Sequence, residues 1–219
     1  NIYGFKKLGV EWILSVSAVG SLKEEYPPQD IVLVDQYFDR TRDGGRDTFF
    51  GGGIVAHISF GDPVCPELLE TLRAAAASAA PEVRTHFRGT YVNMHGPAFS
   101  TRAESNTYRK MGFDVIGMTS LMEAKLAREA EICYATMAMV TDYDCWHEIE
   151  EDVTVAAILE NLQRNAANAK AILKAAAGRI SPKRGCACAH ALQHAILTDK
   201  KAMPPAAKKK LSPLISKYL

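Results

Sequence analysis

The sequence lacks a surplus of either charge. Its 26 lysines and arginines stand against 25 aspartates and glutamates, a formal net charge of +1 over 219 residues. The electrostatic footprint of a nucleic-acid binder is therefore missing, and the expected partner is a small molecule or another copy of the chain. The sequence also lacks an apolar run approaching a bilayer span, and no charged-then-apolar leader opens it, so no membrane association is expected. With 47% hydrophobic residues, nothing in the composition marks disorder or collagen, and one globular domain over 1–219 is the default. Cysteines are few and odd in number, five in all. Cys65, Cys133 and Cys145 sit in or beside apolar segments, where reduced thiols behave as small hydrophobes. A cytoplasmic location follows.

What is present is a series of short β-branched runs: WILSVSA (12–18), DIVLVD (30–35), IVAHISF (54–60), TYVNM (90–94), FDVIGM (113–118) and CYATMAMV (133–140). These are strand candidates. Helical patterns fall at 65–80, 101–112, 120–131 and 153–177, the last with apolar Val155, Ile158, Leu159 and Leu162 on one face. The alternation predicts an α/β fold, a sheet flanked by helices, with functional groups in loops at strand ends. Gly112 reads as a helix stop, and Thr119 or Ser120 as the next cap. The Gly-, Asp- and Arg-rich stretch 39–53 reads as a surface loop. A connector at 176–190 leads to a helix at 187–197, and the segment 187–219 reads as a C-terminal helical tail, with Pro204 and Pro205 suited to a helix start.

The stretch TDYD (141–144) ends the longest apolar run. An aspartate at a strand end is often a cap or turn former, and that reading stays open for each one singly. If strand geometry persists, alternate spacing points Asp142 and Asp144 the same way, toward one ligand with adjacent donors. The 6-amino group and protonated N7 of a 6-aminopurine are such a pair. In NMHGPAFSTRAES (93–105), Gly96 and Pro97 force a turn, and Ser100 or Thr101 caps a helix. Phe99 in that turn exposes a ring unless a flat ligand or another chain covers it. SVSAVGSL (15–22) ends a strand in small residues and Gly20, where backbone N–H groups can approach an anion. IGMTSLMEA (116–124) brings Met118 and Thr119 to a strand end, with core and N-cap as the plain alternatives.

Taken in order, SVSAVGSL, DIVLVDQYFDRT, HISFGDPVCPE, GPAFSTRAES and GFDVIGMTSLMEAKLAREAEICYATMAMVTDYDCWHE resemble the methylthioadenosine phosphorylase branch of the trimeric purine nucleoside phosphorylase family, over essentially the whole chain. The resemblance implies a nucleoside phosphorylase-like fold with a mixed central sheet, a homotrimer or dimer of trimers, and inorganic phosphate as co-substrate with no other cofactor. It implies phosphorolysis of 5'-methylthioadenosine to adenine and 5-methylthioribose 1-phosphate. Asp142, as proton donor to N7, and Asp144 would recognise the purine, with Phe99 and Ser100 beside it and Met118 under the ribose. Ser17, Ala18 and Thr119 match phosphate-contacting positions. Val155, Ile158 and Leu159 match the lining of the 5'-substituent pocket, and His57 matches a histidine lent to a neighbouring subunit, its alternative being a solvated strand histidine. Family members begin with a glycine-rich, phosphate-contacting turn and carry an Arg-His pair, and neither precedes Asn1, so a further N-terminal segment is expected.

Two rivals remain beside this reading: a phosphorylase for methylthioinosine or ordinary purine nucleosides, and a non-catalytic nucleoside-binding or structural subunit. The pair Cys186 and Cys188 has no cysteine or histidine cluster at zinc spacing, so no metal site is expected. Exposed free thiols are the plainest reading, and the resemblance admits a disulfide pair.

Overall fold

The computed structural model describes residues 1–41, 47–147 and 155–219, with side chains from residue 159 onward in the last segment. The described strands are β1 (Trp12–Ser21), β2 (Ile31–Val34), β3 (Gln36–Arg40), β4 (Thr85–Phe87), β5 (Thr90–Met94), β6 (Val115–Gly117) and β7 (Cys133–Asp142). They form one sheet in the order β3-β5-β6-β1-β7-β2-β4. The long central strands β1 and β7 run parallel to each other and antiparallel to β6 and β2, while β4, β5 and β3 follow their neighbours in parallel. The sheet is mixed, as expected. Its helices are α1 (Ile2–Lys7), α2 (Pro66–Ala79), α3 (Arg102–Lys110), α4 (Ser120–Glu129), α5 (Val155–Ala177) and α6 (Pro205–Ile215). Among the described residues, no helix is long and apolar enough to cross a membrane.

β7 is buried at every position from Cys133 to Thr141. Its alternate residues Cys133, Ala135, Met137 and Met139 pack with Leu68, Leu72, Ile172 and Ala176 of α2 and α5. On the opposite face Tyr134 joins Ala124 and Ala127 of α4 and Leu214 of α6. Cover on both faces is why this strand reads as an unbroken apolar run rather than an alternation. Each large side chain so buried contributes roughly 1.5–3 kcal/mol.

Local chemistry sets the helix ends. Thr101 and Glu104 form a reciprocal capping box at the start of α3, with Glu104 N–H donating to Thr101 Oγ1 (3.2 Å) and Thr101 N–H to Glu104 Oε2 (2.9 Å). Gly112, at φ +81°, stops the helix. Beneath α4 lies a hydroxyl cluster: Ser120 Oγ meets Tyr37 (2.7 Å), Thr136 (2.9 Å) and Tyr134 (3.1 Å). Burial pushes the Tyr134 phenol up to about 12.

Three expectations fail. Residues 54–60 form no strand. A single bridge, Ala56 to Ile196, holds this segment beside 195–197, because its partner is a short stretch rather than a sheet strand. The expected helix 187–197 is one 3₁₀ turn, Ala187–His190, followed by turns. Its apolar Leu192 and Ala195 are buried, but the backbone at Ala195 and Leu197 bonds His57 and Val55 instead of continuing a helix. The stretch 39–53 is not wholly surface loop. Residues 42–46 lie outside the described residues, but Phe49 and Phe50 pack on the core, and buried Glu129 accepts Thr48 Oγ1 (2.6 Å) and Phe49 N–H (2.7 Å).

The chain after α5 is tied back through Glu131, a buried residue at φ +56°. Its carboxylate receives Leu192 N–H (3.1 Å), Lys217 Nζ (2.6 Å) and the Tyr218 hydroxyl. Arg184 Nη1 donates to its carbonyl (2.8 Å).

Candidate active site

Strand geometry does not persist through TDYD: β7 ends at Asp142, and residues 144–146 form a turn. Both aspartates nevertheless come up against Gly20 of β1, for a different reason. The β1–β7 register slips between Val19 and Gly20, so that Val19 pairs with Val140 and Gly20 with Asp142. Thr141 is the extra residue of this bulge, a device that re-aims the side chain after it. A Cβ placed on Gly20 would lie 3.1 Å from Asp142 Oδ1 and 3.2 Å from Asp144 Cβ. The glycine thus leaves room where both acids approach β1.

The bulge is secured from the side by α5. Asn161 Nδ2 donates to the Thr141 carbonyl (3.0 Å) and Asn165 Nδ2 to the Val140 carbonyl (2.9 Å). Thr141 Oγ1 lies 3.1 Å from the Val19 carbonyl and 2.6 Å from Asp142 Oδ2. Burial pushes the Asp144 carboxyl above the ordinary carboxylate range, against the pull of the Ser105 hydroxyl and the Cys145 N–H. Its Oδ2 is buried with no hydrogen-bond partner among the described residues. Trp146 is core, its indole N–H bonded to the Ser21 carbonyl (2.8 Å).

A second group forms where β1, β5 and β6 meet α4. Ser17 Oγ lies 3.0 Å from the hydroxyl of buried Tyr91 and 3.4 Å from Thr119 Oγ1. Thr119 occupies the N-cap position of α4 but makes no side-chain cap, so the plain capping role is not realised. Ala18, next along β1, is exposed. Any Cβ on Gly117 would collide with the Tyr91 hydroxyl, so this approach demands glycine. Gly96 is in turn packed against Met118.

Met118 lines a cavity of about 190 Å³ with Asn93, Met94, His95, Leu121 and Lys125. Asp47, paired with Lys125 (2.6 Å), lines it too, but Asp142 and Asp144 do not. The link between the two groups is the β5–α3 loop: Ser100 Oγ approaches Met94 Sδ (3.6 Å), and Cys145 Sγ, beside Asp144, lies 3.3 Å from the Ser100 carbonyl. Phe99 in that loop is 79% exposed. Sequence reasoning missed Asn93, which is fully buried and accepts the Leu121 N–H at the start of α4 (3.1 Å). A polar residue at an inward strand position was its signal.

Leu159 projects from α5 and is half exposed, whereas the side chains of Val155 and Ile158 lie outside the described residues. His57 is exposed, its N–H bonded to the Ala195 carbonyl (2.8 Å), and stands apart from the other site residues. The expectation of exposed thiols without a partnering cysteine cluster is overturned. Cys65 and Cys133, distant in sequence, meet Cys186 and Cys188, with all four sulfurs within 4.8 Å of one another and three of the four residues buried.

Fold and site together define an α/β protein with two aspartates at the end of its central strand β7 and a cluster of hydroxyls where β1, β5 and β6 meet α4. The chain belongs to the phosphorylase superfamily, whose description matches residues 1–177. It is 56% identical over its full length to the S-methyl-5'-thioadenosine phosphorylase of Geobacter sulfurreducens, covering 76% of that protein. It is 58% identical to the same-named protein of Thermosynechococcus vestitus, again over its full length and 76% of the relative. A crystal structure of methylthioadenosine phosphorylase from an Antarctic soil metagenomic library superposes with TM-score 0.91 at 48% identity, over 98% of this chain and 75% of that one. Methylthioadenosine phosphorylase from Schistosoma mansoni in complex with adenine gives TM-score 0.78 at 31% identity, over 99% and 76%.

Proposed function

We propose that this chain catalyses phosphorolysis of 5'-methylthioadenosine, releasing adenine and 5-methylthioribose 1-phosphate. The observation that carries the reading is the convergence of Asp142 and Asp144 at Gly20, in a chain so similar over its whole length to relatives named for that activity. Phosphate oxygen attacks C1' of the ribosyl group, the C1'–N9 bond breaks, and its electron pair leaves with the purine. Asp142 delivers a proton to N7 of the departing base. Thr141 has one hydroxyl proton and two acceptors. The shorter contact, 2.6 Å to Asp142 Oδ2, takes it and orients the carboxyl whose Oδ1 faces Gly20. The unpartnered, buried Oδ2 of Asp144 takes the 6-amino N–H.

Ser17 and Thr119, with the backbone at Ala18, hold phosphate, and Met118 lies under the ribose. Phe99 and Ser100 border the base, and Val155, Ile158 and Leu159 the 5' pocket. No cofactor beyond inorganic phosphate is invoked. His57 reaches the 5' pocket of a neighbouring subunit in a homotrimer, a role supported by its exposure beside exposed Val55 and Leu197. A reducing cytoplasm, where the products feed purine and methionine salvage, fits five cysteines without a disulfide.

Base release from methylthioadenosine, assayed with and without phosphate, tests the reading. Adenine is expected only with phosphate, together with an equivalent of 5-methylthioribose 1-phosphate. Phosphate-independent release indicates a hydrolase and overturns it. Asp142→Asn is expected to lose ~10²–10⁴-fold on methylthioadenosine and to gain on 6-oxopurine nucleosides, because an amide both donates and accepts. Unchanged kinetics on both substrates would sink the role of Asp142.

A further inference from the structure

Cys133 opens β7 and Asp142 closes it, so the cysteine cluster lies about 30 Å from the carboxylates, at ~3.3 Å per strand residue. Three segments distant in sequence supply it: the residue before α2 (Cys65), the start of β7 (Cys133), and two positions of the connector after α5 (Cys186 and Cys188). The sulfurs of Cys133 and Cys186 are 3.4 Å apart, and those of Cys65 and Cys186 are 3.6 Å apart. A disulfide requires about 2.05 Å, and all five cysteines of the chain are free. A tetrahedron of thiolates around zinc, with Zn–S near 2.3 Å, has edges of about 3.8 Å. The observed separations fall near that edge.

We propose that Cys65, Cys133, Cys186 and Cys188 bind one Zn²⁺ as a closed structural site. Four soft sulfur ligands select zinc over the hard cations and leave no position open for substrate or water, the arrangement of a structural rather than a catalytic centre. The surroundings suit the double negative charge of a zinc tetrathiolate. Cys65 is the N-cap residue of α2, where the positive end of the helix faces its sulfur, and the Leu68 N–H points at it. Arg184, two residues before Cys186, is held by the Glu131 carbonyl and by Glu11 (2.7 Å). Gly185 N–H is anchored on Glu67 (3.2 Å), where any Cβ would crowd the same carboxylate, so the turn delivering the Cys-x-Cys pair is itself fixed. The metal staples the connector after α5 to the sheet and to α2, the same chain that Glu131 ties from the other side.

The full chain, expressed with zinc supplied and purified under a non-chelating reductant, is analysed for metal by plasma mass spectrometry. One zinc per chain is expected, released when a mercurial titrates the thiols, and Co²⁺ exchanged into the parent protein is expected to show thiolate charge-transfer and intense tetrahedral d–d bands. C186S/C188S is expected to drop zinc to background and lower Tm, while C145S, whose thiol lies outside the cluster, keeps the full equivalent. Because the cobalt spectrum is read on the parent protein, an unfolded variant does not decide the matter. A parent protein without zinc that gives no tetrahedral cobalt spectrum, iron in place of zinc, or an intact mass showing two disulfides in freshly purified protein each overturns the site.

Discussion

At the scale of single residues, the candidate site works through groups that are costly to bury. The Asp144 carboxyl is pushed up by burial, so the folded chain binds more protons than the unfolded one between the ordinary value of 3.8 and its raised value. Folding stability from this group therefore falls as pH rises through that window, and above it the ionised carboxylate is a net cost. Asp144→Asn removes that cost. It is expected to be more stable than the parent at pH 7, with the difference closing below pH 3.8, while adenine release falls by about 10–100-fold for the lost charged hydrogen bond. Urea unfolding across pH, set beside kinetics, checks both halves; parallel stability curves would mean that burial of Asp144 is not what matters. That Asp142 and Asp144 lie on the same side was expected from spacing, but for another reason. Alternation in a continuing strand would place them so, whereas a bulge at Thr141 and a turn at 144–146 bring both against Gly20. A bulge is invisible in composition because Thr141 is as good a strand residue as any.

At the scale of elements, α5 acts as the brace for that bulge. Beside the bulge, the Thr141 carbonyl accepts from Asn161 and the Val140 carbonyl from Asn165 as well as from the Gln29 N–H, the two asparagines lying four residues apart on one face of α5. The Val140 carbonyl keeps the Gln29 N–H (2.8 Å) when Asn165 is removed, so what is lost is one hydrogen bond, about 0.5–1.5 kcal/mol. Asn165→Ala is accordingly expected to lower stability by that amount. Asn161→Ala, whose partner is less enclosed, is expected to cost less stability yet reduce kcat more than it raises KM, because the carboxylates lose alignment rather than binding surface. Thermal melts and steady-state kinetics on the two variants separate these effects; identical losses in both would show that neither asparagine positions the acids. Elements with two-sided cover or strong caps could be read directly: 90–94 became β5, and 133–140 extended by two residues to β7. QYFDR (36–40) was missed as β3 because it mixes charge and aromatics on an edge, and three-residue β4 is too short to carry a pattern. IVAHISF looked like a strand by its β-branching, but with only 195–197 to pair with it remained an isolated bridge. The cysteine cluster could not be read at all, since its ligands come together only through the packing of α2, β7 and the distant connector.

At the scale of the whole molecule, the chain leaves apolar surface where a neighbour would be expected. Val55 and Leu197, 49% and 63% exposed, flank exposed His57 on the ribbon joining 55–57 to 195–197. If His57 completes the 5' pocket of an adjacent subunit in a head-to-tail ring, a site needs Asp142 from one chain and His57 from the next. His57→Ala alone is expected to reduce kcat/KM for the methylthio substrate by about tenfold, the value of one pocket contact, and Asp142→Asn alone to remove most activity. Co-expressed under two tags and purified as mixed assemblies, the two variants are expected to regain activity. In a randomly assembled ring of equal parts, about a quarter of the sites pair an intact Asp142 with an intact neighbouring His57. If His57 instead serves its own chain, every site carries one lesion and mixing recovers nothing beyond the average of the two variants. Activity at that average therefore rules out the shared pocket, and activity above it, in assemblies carrying both tags, requires that the histidine cross a subunit boundary.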